Sequence, residues 1–388
     1  MNGLSKKAIQ LNENSSIIRF MFSKANELKK KSKDVSDLSL GNPVSEPPKE
    51  FIKGIEKALK EKGIHRYMDS QGFLSARKKI SQWINKKNWF KCTPENILMT
   101  AGAATGIVSA LFSLIEKNEE VIVFKPYFVD YLNFIKVVEG KAKLVDLNED
   151  FSIDFNKLEK AFSKKTKAVI FNSPNNPTGK IYSKKELQEL SLFLNKMQKK
   201  FRKNFFVLSD ELYMDINFSN KKVHSIAEFY SNTAVIYSWS KIYSIPGERI
   251  GFVAVPRNFS IQKFIQGIVS IQRSLGVINA NALMQKAIEY SLNAKTGKTI
   301  NLYKKFRNKL IKALQKAGFE VFIPEGTFYL TAKIPKKFKS EQQFIKKALK
   351  QKLVVAPGSF FGLKNWIRIA FCLNEKQINS AVKKIENL

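Results

Sequence analysis

Four short apolar runs in the first two-thirds of the chain each end in a turn rich in small, polar or charged residues. This pattern restricts the fold more than any single residue does. Asn96-Ile-Leu-Met-Thr100 leads into Ala-Gly-Ala-Ala-Thr-Gly106, and Glu120-Val-Ile-Val-Phe124 into Lys-Pro-Tyr-Phe128. Thr166–Phe171 leads into Asn172-Ser-Pro-Asn-Asn-Pro-Thr-Gly179, and Phe205-Phe-Val-Leu-Ser209 into Asp-Glu-Leu-Tyr213. Ala142–Val145 reads as a further strand, with a helix over Phe155–Phe162 between it and the next. Strands that alternate with helices predict a parallel α/β sheet. Such sheets collect their ligands beyond the strand ends, where these turns fall.

The stretch Tyr237-Ser-Trp-Ser-Lys-Ile-Tyr-Ser-Ile-Pro-Gly-Glu-Arg-Ile-Gly251 supplies the chemistry. Lys241 is flanked by the hydroxyls of Ser238 and Ser240 and followed eight residues later by Arg249. A cofactor carrying an aldehyde and a phosphate suits this set: the amine takes the aldehyde, and the serines and arginine take the phosphate. Gly102, Ala103 and Ala104 form a small-residue turn before an apolar helix, where backbone N–H groups and the helix dipole favour an anion. The glycine and lysine spacings match neither a Walker loop nor a dinucleotide fingerprint.

Asp210 and Tyr213 follow a strand at a spacing of three. A buried carboxylate at a strand end favours a cationic group placed beside it. Phe128 offers a flat face for stacking, with Tyr127 as the neighbouring alternative. Arg368, in Trp366-Ile-Arg-Ile-Ala370, is a guanidinium between isoleucines and needs an acidic partner, from the protein or from a substrate. The chain has only nine arginines against 58 lysines, so each site that uses a flat two-pronged cation is informative.

Taken in order, these motifs resemble those of the fold-type I pyridoxal-phosphate aminotransferases, class I/II, the aspartate aminotransferase superfamily. The resemblance spans roughly Leu38 to Ala370. It implies a large domain with a mostly parallel seven-stranded sheet and a small α/β domain built from both chain ends. The corresponding boundaries are 1–49 for an N-terminal arm and part of the small domain, 50–295 for the cofactor-binding domain and 296–388 for the C-terminal small domain. It also implies roles: Lys241 as the Schiff-base lysine, Asp210 at the pyridine nitrogen, and Asn176 and Tyr213 on the phenolic oxygen. Phe128 would stack on the ring. Gly102, Ala103, Ala104, Ser238, Ser240 and Arg249 would hold the phosphate. Tyr67 would reach the phosphate of a neighbouring subunit, which makes the protein a homodimer. Gly41 would leave room near the substrate, and Arg368 would grip its α-carboxylate. The substrates are then an amino acid and a 2-oxo acid, and the cofactor pyridoxal 5'-phosphate. Aspartate-specific relatives of one subgroup carry a lysine in the small-residue turn, and this chain has Ala103 and Ala104. The aromatics Phe128, Phe328, Tyr329, Phe360 and Phe361 would suit apolar or aromatic donors.

Composition narrows the alternatives. The net charge is +34. The lysines are dispersed along the whole chain, so nucleic acid is not an expected partner. No run of 18 apolar residues suggests a membrane span, and the polar stretch Met1–Lys33 lacks the apolar core of a signal peptide. Cys92 and Cys372 have no pairing or metal-ligand spacing, and with two histidines a histidine metal site is not expected. A reducing cytoplasm is the default compartment. An amphipathic helix is expected over Ile17–Lys31 and a long helical stretch from Val255 to about Lys312. Two other functions fit the same residues: a carbon–sulfur β-lyase using the same lysine and aspartate, and a non-catalytic, cofactor-sensing or nucleic-acid-binding regulator.

Overall fold

The computed structural model describes residues 3–388. Its main sheet has seven strands, in the spatial order Ile97–Thr100, Gly251–Ala254, Thr233–Ser238, Phe206–Asp210, Thr166–Asn172, Glu120–Lys125 and Lys141–Asp146. Gly251–Ala254 runs antiparallel to both neighbours, and the other contacts are parallel. The sheet is the one expected from the sequence.

Alternation along each strand explains why helices cover both faces. Val121 and Val123 pack with the helices Ala103–Leu114 and Asp130–Val137, whereas Ile122 and Phe124 pack with Phe155–Ala161 and Lys184–Phe201. Phe206 and Leu208 lie on the first face and Val207 on the second. Successive side chains of a strand point to opposite faces, so a continuous apolar run is what a sheet buried on both sides needs.

The chain ends meet beside this sheet. Ser36–Asp37 pairs in parallel with Leu353–Val354, and the C-terminal helix Glu375–Glu386 packs against the first of these strands. A four-stranded sheet follows the order Ala356–Pro357, Trp366–Ala370, Tyr329–Lys333, Glu320–Phe322, all antiparallel. A small α/β unit is thus built from both ends of the chain.

Some elements differ from expectation. The N-terminal helix runs over Lys6–Lys31, a longer span than Ile17–Lys31. The side chains of residues 13–20 and 22, on which part of its expected amphipathic face rests, lie outside the described ones. The stretch after Val255 is three helices, Phe264–Ser274, Ala282–Ser291 and Gly297–Lys316. Asn281 starts the second by accepting the Met284 N–H at 3.1 Å, a local cap that competes with helix continuation. Of the described residues, no helix is long and apolar enough to cross a membrane.

Candidate active site

Most of the functional candidates gather where the strands of the large sheet end. Asn172, Asp210 and Ser238 are the last residues of three adjacent parallel strands. Thr100 ends the strand that leads to the Gly102 turn. Gly251 begins the antiparallel strand, so its start lies at the same end of the sheet. Sites separated by 150 residues in sequence become neighbours because parallel strands bring all their C-terminal ends together.

Lys241 follows the strand Thr233–Ser238, and its Nζ donates to the Gly41 carbonyl at 3.3 Å. Burial depresses the amine's pKa, and the charges of Arg368 and Arg249 push in the same direction, against the opposing influence of Cys372 and Asp210. The amine is therefore biased toward its neutral, proton-accepting form. Ser238 and Ser240 lie on the side away from Tyr237 and Trp239, which pack into the core. The two serine hydroxyls are 2.7 Å apart, and Ser238 Oγ donates to the Ile250 carbonyl at 2.8 Å.

Gly102 caps the helix Ala103–Leu114 with φ +82°, and a Cβ there would lie 2.6 Å from Arg249 Nη2. The turn thus needs glycine for its backbone and for the close approach of the guanidinium. Arg249 is exposed. It donates to the Pro246 carbonyl at 2.8 Å and to the Ala101 carbonyl at 3.4 Å. Ala103 is buried and Ala104 exposed at the helix start.

Asp210 is buried, and burial pushes its carboxyl up to about 6. Tyr131 donates a short hydrogen bond to its Oδ2. Tyr131 carries no assigned role in the sequence reading. The usable signal was its spacing: it lies three residues after Phe128, at the start of a helix, and their rings meet edge to face at 5.5 Å. Phe128, half-buried, is thereby tied to the carboxylate. Asn172 Nδ2 donates to the Asp210 carbonyl at 2.8 Å, and its Oδ1 accepts the Asn176 N–H at 2.6 Å. The loop from 172 to 179 is thus locked to the strand that carries Asp210.

Arg368 is 3% exposed, deep for a guanidinium. Its Nη1 donates to Asn176 Oδ1 at 3.2 Å and its Nη2 to the Ser39 carbonyl at 2.6 Å, while Nε has no hydrogen-bond partner. Among the described residues no carboxylate pairs with it. The rings of Tyr329 and Phe361 each lie 4.4 Å from its central carbon. A buried guanidinium with an unspent N–H implies an anionic partner from outside the chain.

Tyr213 is buried against Phe328 and Tyr329, at 5.5 and 5.9 Å between ring centroids. Burial drives its hydroxyl pKa well up, and Tyr329 adds to this. A Cβ on Gly41 would lie 1.7 Å from the Tyr329 hydroxyl, so that side chain has space because position 41 has none. The expected aromatic lining is only partly realised. Phe328 and Phe361 are fully buried, and Phe360 packs with Met21, Ala25 and Val354 under the N-terminal helix.

The match to known proteins follows this geometry. Residues 33–385 match the model of aminotransferase class I and II. The chain belongs to the class I and II aminotransferase family. It is 32% identical to a (5-formylfuran-3-yl)methyl phosphate transaminase of Methanocaldococcus jannaschii, covering 99% of this chain and 98% of that one. To a probable aspartate aminotransferase of the same organism it is 29% identical, over 92% and 93% of the two chains. The crystal structure of an amino transferase from Eubacterium rectale superposes with a TM-score of 0.93 at 30% identity, covering 100% of this chain and 98% of the other. Within this family fold, Tyr67 stands apart: it is 89% exposed, far from burial against its own chain.

Proposed function

We propose that this family member is a pyridoxal-phosphate-dependent enzyme that transfers the amino group of an L-amino acid to a 2-oxo acid. The observation that carries this reading is Arg368, a buried guanidinium without an acidic partner among the described residues, hydrogen-bonded to Asn176 and near enough to Lys241 for its charge to act on that amine. The residues present fit the cofactor. Lys241 has a neutral-biased amine for its aldehyde. Asp210 is a buried carboxylate for its ring nitrogen. The Gly102 turn, Ser238, Ser240 and Arg249 provide hydroxyls, helix-start N–H groups and a cation for its phosphate.

When bound, the cofactor supplies a carbonyl that accepts the amino group and a ring that takes up an electron pair. The chain's own residues do the rest. Arg368 binds the α-carboxylate, which fixes the donor's orientation. Lys241 Nζ would be the base that takes the proton from the donor's α-carbon and holds it for return. Asp210, held ionised by a cationic ring nitrogen, would keep that nitrogen protonated, which makes the ring a better acceptor of the electron pair. Asn176 and Tyr213 would donate hydrogen bonds to the cofactor's phenolic oxygen, and Phe128 would offer a flat face to its ring.

For the donor, Ala103 and Ala104 offer no cation to a distal carboxylate, and Phe128 is the half-buried ring at the site. Neutral and aromatic amino acids are therefore the first class to test, with aspartate beside them. A panel of donors against 2-oxoglutarate, with oxo-acid product measured, tests the function. Turnover that stops without an oxo-acid acceptor supports it. Pyruvate and ammonia formed from cystathionine without an acceptor contradicts it.

A further inference from the structure

The Phe361 ring that abuts Arg368 is held by a contact outside the site. Phe361 ends the turn Gly358–Phe361, which lies four residues before the strand Trp366–Ala370 that carries Arg368. Ser359, in the same turn, gives both of its donors to one carboxylate. Its hydroxyl donates to Glu341 Oε1 by a short bond, and its N–H donates to Oε2 at 3.3 Å. Glu341 is 8% exposed, the first residue of the helix Glu341–Lys350, and forms no ion pair with a described residue. An acidic side chain at a helix start gains from the dipole, but that gain does not require burial. The position is explained by what it holds.

We propose that Glu341 is a positioning residue for carboxylate recognition. Through Ser359 it fixes the 358–361 turn and so keeps the Phe361 ring against the Arg368 guanidinium. This rests on the reading of Arg368 as the carboxylate-binding group. The turn has little freedom of its own: a Cβ on Gly358 would lie 2.5 Å from the Leu363 carbonyl oxygen and 2.6 Å from that of Trp366. The Phe361 carbonyl accepts the Tyr127 N–H at 3.1 Å, which ties the turn to the segment bearing Phe128. Tyr329, the other ring on Arg368, is held separately, by Tyr213 and the space at Gly41. The two rings exclude water from the guanidinium and limit its rotation. Its unspent Nε–H then stays available to a carboxylate, with less ordering left to do on binding.

The test uses the cofactor-loaded enzyme and an unreactive monocarboxylate, 3-phenylpropionate, with its Kd read by calorimetry alongside KM and kcat. Phe361→Leu, Glu341→Ala and Ser359→Ala should each weaken binding about two- to thirtyfold and raise KM for the donor, with kcat at saturation within about twofold. Phe361→Tyr, which keeps the ring, should bind within about twofold of the parent. Glu341→Ala and Ser359→Ala combined should cost no more than either alone, because they break one contact. Parent-like binding in Glu341→Ala, while Arg368→Ala loses it, overturns the proposal. So does a kcat loss without a change in Kd. Parent-like binding in Arg368→Ala overturns the carboxylate reading itself, a separate result. Phe361→Leu does not touch the helix start, so it remains a fair test if Glu341→Ala fails to fold.

Discussion

At the scale of single residues, the site was legible where chemistry demands a particular side chain. Lys241, Asp210, Asn176 and Arg368 could be picked out because an amine, a strand-end carboxylate, an amide between prolines and a rare arginine each have few substitutes. What could not be read was the support around them. Tyr131 on Asp210, Ser39 on Arg368 and Glu341 under Ser359 act through contacts of 79, 329 and 18 residues' separation, and no local spacing encodes them. Glu211 is a further case. It is buried beside Asp210, accepts the Ser209 and Ser225 hydroxyls at 2.7 Å on Oε1, and leaves Oε2 unpartnered. Burial pushes its pKa up to about 8. A carboxyl whose folded pKa is raised favours the fold below its unfolded value. That advantage disappears as pH rises through the folded value. Glu211→Gln should therefore match the parent's stability near pH 4 and exceed it above pH 8, by on the order of a few kcal/mol. Urea midpoints at pH 5 and pH 9 check this; a difference that shrinks toward alkaline pH contradicts it.

At the scale of elements, alternation and turn chemistry located the strands ending at Thr100, Lys125, Asp146, Asn172 and Asp210 to within a residue or two, whereas Thr233–Ser238, just ahead of Lys241, was not read as a strand. The limits lay where apolar patterns run together. Each of the three helices between Phe264 and Lys316 buries one apolar face, Phe264–Ser274 in one core and Ala282–Ser291 and Gly297–Lys316 in another, so their periodicity reads as one stretch. Their ends are set by caps such as Asn281, which a hydropathy pattern does not register. The helix Lys184–Phe201 shows the value of such a cap: Ser183 accepts the Glu186 N–H at 3.2 Å, and the Glu186 carboxylate accepts the Ser183 N–H at 2.7 Å. This helix covers the sheet face built around Val169 and Val207, away from Lys241. Ser183→Ala should cost about 1 kcal/mol in urea unfolding and leave KM and kcat unchanged. A loss of activity without loss of stability would place the helix in the site and contradict this arrangement.

At the scale of the whole molecule, the phosphate end of the proposed site is open in a single chain. Arg249 and Ala104 are exposed, and Tyr67 is almost fully so. We propose that a second copy closes it and that Tyr67 supplies a hydroxyl to the partner's cofactor phosphate. Sedimentation should then show a dimer. Tyr67→Ala should release the cofactor about tenfold more readily, the order of a hydrogen bond to a charged group. A monomer that keeps its cofactor fully contradicts the shared site. The account as a whole depends on one amine out of 58 lysines being the group that captures an aldehyde. Borohydride reduction of the cofactor-loaded protein, followed by peptide mass mapping, reads this directly. The account predicts a single pyridoxyl-phosphate adduct, on Lys241, that disappears together with the visible absorbance in Lys241→Ala. An adduct on another lysine, or undiminished transamination in Lys241→Ala, contradicts it.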